Sequence, residues 1–255
     1  TVGVGAFDPL DAVADRAQAH GLWLHVDGAF GALMALAPEL AAPLRGLGRA
    51  DSLAFDLHKW LHVPIEAACV LVRDATTHRD AFAVESSYTA DAETGPATRS
   101  NRFTSLGLQQ SRSARAIKVW FSLREHGAKR LGACVAMNVA QARYLADRVE
   151  ADAELELLAP VASQIVCFRA VPASLPPTTD LNRFNRRLLQ VIQTRGLALP
   201  SGHTVRGTFG IRCSITNHRT TRRDLDAFLA LVRATAAEVA AGWGDDVHTP
   251  VEVSR

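Results

Sequence analysis

Short apolar runs separated by polar segments mark the first third of the chain. Three of these runs, 22–26, 52–55 and 67–72, have the length and the aliphatic content of β-strands. Because none of them alternates polar and apolar positions, they predict strands that are buried on both faces. A helical pattern precedes the first run, with apolar residues at Leu10, Val13, Ala14 and Ala17.

The signals at the ends of that first helical segment give its boundaries. Asp8 stands at the expected cap position, Pro9 at the expected first helical position, and Gly21 at the expected stop. A helix followed by a buried strand is half of a βαβ unit. We therefore expect an α/β domain with a mostly parallel sheet and helices on its faces.

The second half of the chain has a different pattern. A helical period begins near Arg112 and ends at Gly127, and a second, alanine-rich helix is predicted over 129–149. Strands and helices then alternate in a way that indicates a smaller α+β domain. Strands are predicted over 154–158, 165–170 and 208–215, and helices from Asp180 to Gly196 and after the Thr221–Asp224 capping box. These patterns divide the chain into part of a larger domain (1–117), a small domain (118–242) and a tail (243–255).

Composition narrows the class of protein. Hydrophobic residues make up 48% of the 255 residues, which is ample for a core, and the net charge of +2 gives no argument for binding nucleic acid or membranes. The four cysteines lie far apart in mostly apolar surroundings, as buried reduced thiols do, and no signal peptide is visible. We expect a cytoplasmic location and no metal, since His58 and His62 lack a third ligand.

Polar side chains follow two of the predicted strands directly. Asp27 follows the run 22–26, and Asp56, His58 and Lys59 follow the run 52–55. In open parallel sheets, ligands bind beyond the carboxyl ends of the strands, so these residues should face one crevice. A lysine amine and a carboxylate suit pyridoxal 5'-phosphate (PLP), which binds lysine as a Schiff base and pairs its pyridinium nitrogen with an acid. Ala29 is small enough to let a flat ring approach.

Two stretches around these residues also carry a family resemblance. The sequences His25-Val-Asp-Gly-Ala-Phe-Gly31 and Ala50-Asp-Ser-Leu-Ala-Phe-Asp-Leu-His-Lys-Trp-Leu-His-Val-Pro64 resemble those of the group II PLP-dependent amino-acid decarboxylases. The resemblance implies the fold of the PLP-dependent transferases (fold type I). It also implies a homodimer with shared active sites, and a chain that corresponds to the carboxyl-terminal half of a longer protein, as the start without Met also indicates.

The resemblance implies roles for individual residues. Lys59 would hold PLP as an internal aldimine, Asp27 would pair with the ring nitrogen, and His58 would contact the cofactor. Asp56 is a weaker candidate, because an acid near a phosphate is unfavourable unless it accepts from backbone or is bridged by water.

Two more residues have competing interpretations. The polar segment 84–105 corresponds to a lid in the family, where Tyr88 would act as the general acid at the substrate carbon, or would only pack at the loop base. Arg212, within an apolar strand, would bind a substrate carboxylate or serve as a structural ion-pair partner.

Three functions remain in competition at this point. The leading one is decarboxylation of an L-amino acid to the amine. A second is another PLP-dependent reaction, such as a lyase or aldehyde synthase, although the resemblance leads one to expect Phe in place of Tyr88 in the aldehyde-forming branch. The third is a non-catalytic fragment or paralogue that serves as a dimerisation partner.

Overall fold

A computed structural model describes residues 1–83 and 103–243. The Cα positions divide the chain into two compact units. The amino-terminal unit comprises Pro9–Leu33 and Leu44–Ala128, and the carboxyl-terminal unit comprises Thr1–Asp8, Met34–Pro43 and Lys129–Arg255. The first eight residues therefore belong with the small sheet formed by the last third of the chain. Among the described residues, none of the helices combines the length and the apolar character needed to cross a membrane.

The amino-terminal unit contains a three-stranded sheet in the order β1-β2-β3. Strands β1 (His25–Asp27) and β2 (Ser52–Asp56) are parallel, as the sequence predicted, whereas β3 (Ala68–Val72) pairs with β2 in the antiparallel direction. The sheet is therefore mixed. The reason is the connection 57–67, which is shorter than the dozen or so residues that a parallel crossover needs.

The expectation that these strands are buried on both faces is wrong for this chain. Val70 and Leu71 in β3 are 58% and 54% exposed, and Leu22 and Trp23 before β1 are also exposed. Both β1 and β3 are edge strands of the described sheet, so each lacks a neighbour on one side. A continuous apolar run indicates that the side chains of a strand are suited to burial, but it does not show that other residues of the same chain bury them.

Of the described helices, three lie wholly within the amino-terminal unit: α1 (Leu10–Ala19), α2 (Leu57–Trp60) and α3 (Ala75–Phe82). The prediction that Asp8 caps α1 is wrong by one position, because Pro9 is the cap residue and no side chain caps this helix. By contrast, the Asp74 carboxylate accepts a hydrogen bond of 2.6 Å from the Thr77 amide at the start of α3. Single 3₁₀ turns make up much of 31–49 and one later segment: Gly31–Leu36, Pro38–Leu40, Ala42–Leu44, Leu47–Arg49 and Phe103–Leu106.

The long helix α4 (Arg115–Glu150) consists of two helical segments, and the first ends at Gly127, where the sequence predicted a stop. Gly127 lies within it with φ 72° and ψ 153°, so two helical segments meet at a non-helical glycine. A φ in this range favours glycine, which has no Cβ to clash with the backbone. Before the glycine, Ile117, Trp120 and Phe121 are exposed at helical spacing.

Among the described residues, the carboxyl-terminal unit contains an antiparallel sheet, the second part of α4 and two later helices, as expected for an α+β domain. The sheet order is β4-β5-β7-β6, and Val166, Phe168 and Ile211 pack with Phe184 and Leu188 in its core. Strand β6 was not predicted, because Ser-Gly-His-Thr-Val has no apolar face. The bounds are β4 (Leu155–Leu157), β5 (Ile165–Ala170), β6 (Ser201–Val205), β7 (Thr208–Ser214), α5 (Leu181–Thr194) and α6 (Arg222–Ala241).

Both predicted helix starts in this unit are confirmed. The Asp180 carboxylate accepts hydrogen bonds from the amides of Asn182 and Arg183 at the start of α5. At the start of α6, Thr221 accepts from the Asp224 amide and the Asp224 carboxylate accepts from the Thr221 amide, which is the reciprocal capping box. These capping residues were predictable because a helix cap depends only on residues within one helical turn.

Candidate functional site

The ends of β1 and β2 bring the predicted acids and lysine to one edge of the sheet. The strands are parallel, with Asp27 paired to Ala54, so both chains leave the sheet at the same edge. Two hydrogen bonds then join the loop after β1 to the end of β2. The Gly28 amide donates to the Ala54 carbonyl (2.8 Å), and the Asp56 amide donates to the Ala29 carbonyl (3.2 Å).

Gly28 is required by close packing at this edge. A Cβ at this position would lie 2.6 Å from the Cβ of Ala32 and 3.2 Å from the Ala54 carbonyl oxygen. The absence of a side chain therefore lets the loop after β1 pack against the end of β2. As a result, the positions of Asp27 and Ala29 are fixed relative to Asp56.

Asp27 ends β1 with its carboxylate held by a local turn. Its Oδ1 accepts a hydrogen bond of 3.0 Å from the Ala29 amide, two residues further along. This turn orients the carboxylate and leaves Oδ2 outside the bond. In the described structure Asp27 is exposed, so the carboxylate is accessible to a ligand at the sheet edge.

Lys59, on the short helix α2, has two described partners. Its Nζ lies 2.6 Å from Oδ2 of Asp56, and it lies 5.0 Å from the centroid of the Phe30 ring. The side chains of Lys59 and Asp56 are 35% and 21% exposed. For Asp56, the weaker cofactor candidate in the sequence, the structure therefore shows a direct contact with the lysine.

His58 is held by the backbone of Ala67. Its Nδ1 lies 2.8 Å from the Ala67 carbonyl oxygen and 3.2 Å from the Ala67 amide nitrogen, and the His58 amide donates to the same carbonyl at 3.0 Å. The shorter ring contact needs a proton on Nδ1 and the longer one needs a lone pair, so either neutral tautomer satisfies one of them. Both contacts use Nδ1, so the ring is fixed in place without engaging Nε2.

The groups at this edge fit PLP by their chemistry. A primary amine, a carboxylate fixed by a turn and a small residue between them are the groups that the aldehyde, the ring nitrogen and the flat ring of PLP require. Asp27, Ala29, Asp56, His58 and Lys59 all lie in the amino-terminal unit, and of these Lys59, Asp27 and His58 are the residues that would hold the cofactor. Among the described residues, no cluster of His, Cys, Asp and Glu could hold a metal ion.

Two further residues, Tyr88 and Arg212, were predicted to belong to the site. Tyr88 lies outside the described residues. Arg212, in β7 of the carboxyl-terminal unit, donates from Nε to the Gly3 carbonyl (2.9 Å) and from Nη2 to the Val2 carbonyl (2.8 Å). Its Nη1 also donates to Ser201 Oγ (3.3 Å). These contacts hold the first residues of the chain to the small sheet, and its role toward a substrate carboxylate stays a prediction.

Sequence reasoning did not single out two features near the site. Phe30, beside the Lys59 ammonium, follows Asp27 closely, so the motif itself contained that signal. The ion pair between Glu66 and Arg115 joins residues far apart in the sequence, and no spacing rule predicts it. Hydrogen bonding to the Arg115 guanidinium, followed by its charge, holds the pKa of the Glu66 carboxyl below its usual value.

Comparison with known proteins finds one matching family model and relatives that align with nearly the whole chain. The model of the pyridoxal-dependent decarboxylase conserved domain matches residues 1–171. An aromatic-L-amino-acid decarboxylase of Bacillus atrophaeus is 34% identical over 247 residues, which are 95% of this chain and 50% of that protein. A 4-hydroxyphenylacetaldehyde synthase of Rhodiola rosea is 28% identical over 239 residues, which are 94% of this chain and 48% of that protein.

A solved structure shows the same likeness in three dimensions. The TDC of Oryza sativa, crystallised with PLP and tryptamine, superimposes with a TM-score of 0.85 at 26% sequence identity. The alignment covers 94% of this chain and 49% of that one. This chain therefore spans about half the length of the relatives it matches.

Proposed function

Because this chain belongs to the pyridoxal-dependent decarboxylase family, we propose that it provides the lysine and the acid for PLP-dependent decarboxylation of an L-amino acid. The product would be the corresponding amine. One observation carries the proposal: Asp27 ends β1, and Lys59 lies on the helix that directly follows the adjacent parallel strand β2. A lysine and a carboxylate fixed at the same sheet edge are the pair that this cofactor chemistry needs.

Each residue at the edge has a definable part in this function. When bound, PLP supplies an electron sink for the charge left on the α-carbon after loss of carbon dioxide. Lys59 would hold PLP through its primary amine. Asp27 provides a negative charge that favours a proton on the ring nitrogen. His58, fixed by Ala67, contributes one wall of the site.

Tyr88 is the proposed proton donor to the α-carbon. A phenol that reaches this carbon can act as a general acid. The aldehyde synthase among the relatives makes the oxidative outcome the second candidate. The presence of Tyr rather than Phe at position 88 supports amine formation as the first.

The active protein is proposed to be a cytoplasmic homodimer with shared active sites. The exposed apolar side chains of Ile117, Trp120 and Phe121 on the first part of α4 support a protein–protein surface in the amino-terminal unit. The four cysteines are free thiols in the structure, which fits a reducing compartment. Analytical ultracentrifugation of the purified protein measures its association state directly.

Trapping of the cofactor tests the central proposal. Reduction of the PLP-loaded protein with borohydride should place the cofactor on Lys59, as identified by mass spectrometry of peptides. Lys59→Ala should abolish this adduct and the decarboxylase activity, and the control Lys129→Ala should retain both. An adduct on a different lysine, or none in excess PLP, would overturn the assignment.

A further inference from the structure

The contacts of Asp56 are unusual for an acid at the start of a helix. Asp56 is the N-cap residue of α2, yet its side chain makes no capping hydrogen bond. Its carboxylate instead lies 2.6 Å from the Nζ of Lys59, three residues further along. Its own amide is occupied by the Ala29 carbonyl, so both the backbone and the side chain of Asp56 are fixed.

A second group closes the other side of the Lys59 amine. The Phe30 ring lies 5.0 Å from Nζ, within the range of a cation–π contact. This ring is itself held in an edge-on contact with Trp60, with 6.5 Å between centroids, and Trp60 is buried. The ammonium therefore sits between a fixed carboxylate and a fixed aromatic ring.

We propose that Asp56 is a positioning residue that, with Phe30, clamps the unloaded Lys59 amine, and that this clamp opens when the cofactor attaches. The inference rests on the proposed function, because it concerns the lysine that PLP uses. Only a neutral amine attacks an aldehyde carbon, forming a C=N bond with loss of water. The ion pair with Asp56 must therefore break, and the ammonium must release its proton to solvent, before attachment.

The clamp has a consequence for the rate of loading. A variant without the Asp56 charge attaches PLP faster near neutral pH, by about two- to fivefold, the range expected for a partly exposed ion pair. Lysine amines in general lose their proton at alkaline pH, so the two proteins are expected to attach PLP at similar rates there. The other titratable groups at this edge are Asp27 and His58, and both are engaged with backbone groups, of Ala29 and Ala67.

The first measurement needs no cofactor. The PLP-free protein is treated with acetic anhydride at several pH values, and acetylation of Lys59 is followed by mass spectrometry in wild type, Asp56→Asn and the control Asp80→Asn. The clamp predicts faster acetylation of Lys59 in Asp56→Asn below the alkaline range, and no change in Asp80→Asn, where an exposed acid on α3 is replaced. Equal labelling of Lys59 in all three proteins overturns the clamp.

The second measurement follows PLP attachment to the same proteins by visible absorbance and borohydride trapping. Faster attachment in Asp56→Asn that converges with wild type at alkaline pH supports the clamp. Slower attachment at every pH shows that Asp56 only maintains the fold, and overturns it. Faster acetylation without PLP attachment in any protein supports the clamp but refutes the proposed function, so the two failures are distinguishable.

Discussion

The role of Arg212 is open to a decisive test, because its two interpretations predict different losses. Replacing Arg212 with Ala removes the donors to the carbonyls of Val2 and Gly3. Val2 is 85% exposed, so its carbonyl can bond to water instead. Gly3 is buried, and its carbonyl would lose a charged donor without replacement.

The expected cost follows from these two environments. A buried acceptor left unsatisfied costs about 1–3 kcal/mol, and the loss of a hydrogen bond from a charged group to an exposed acceptor costs about 1 kcal/mol. We therefore expect Arg212→Ala to lower the free energy of unfolding by about 2–4 kcal/mol. Arg212→Lys should cost roughly half as much, because one ammonium cannot reach both carbonyls with the fork geometry of a guanidinium.

Urea denaturation and thermal melting measure this loss, with Tm falling by about 2–4 °C for each kcal/mol. Arg206→Ala is the matched control, since it removes an exposed arginine from the β6–β7 turn of the same unit and should change stability by less than about 0.5 kcal/mol. If Arg212→Ala leaves the unfolding midpoint unchanged and raises KM for the amino acid about tenfold, the structural reasoning is refuted. Arg212 would then be the carboxylate-binding residue.

Three further expectations concern the site and the small sheet. Asp27→Asn keeps an acceptor for the Ala29 amide but removes the charge, so kcat should fall by the equivalent of about 3–4 kcal/mol, and a value within tenfold of wild type would show that Asp27 does not face the ring. Tyr88→Phe should divert product from amine to aldehyde and hydrogen peroxide in the presence of oxygen; product analysis that finds only amine in undiminished yield assigns Tyr88 to packing. Burial raises the pKa of the Cys213 thiol to about 12 and also raises that of Cys167, so iodoacetamide at pH 8 should label both far more slowly in the folded protein than in urea. Because the folded pKa of Cys213 lies above its ordinary value of 9.0, its contribution to stability is complete below pH 9 and declines as the pH rises toward 12.

Features governed by neighbouring residues were predictable from the sequence. The capping of α5 by Asp180, the bounds of β5 and the parallel pairing of β1 with β2 were all predicted from local patterns. The contact between Asp56 and Lys59 also joins close neighbours, but the sequence did not decide it. An acid at a helix start can cap the helix or pair with a lysine, and the choice depends on the path of the backbone around it.

Only the tertiary structure decided which partners the distant residues have. The exposure of Val70 and Leu71 and the bonds from Arg212 to the start of the chain depend on segments that the local pattern does not contain. Hydrophobic periodicity indicates which side chains of a segment are suited to burial, and the chemistry of its polar side chains indicates which ligands they can bind. The fold then determines which group is placed within hydrogen-bonding distance. That is why the lysine and the acid of the proposed site could be chosen from the sequence, while the contacts of Lys59 with Asp56 and Phe30 and those of Arg212 with Val2 and Gly3 could not.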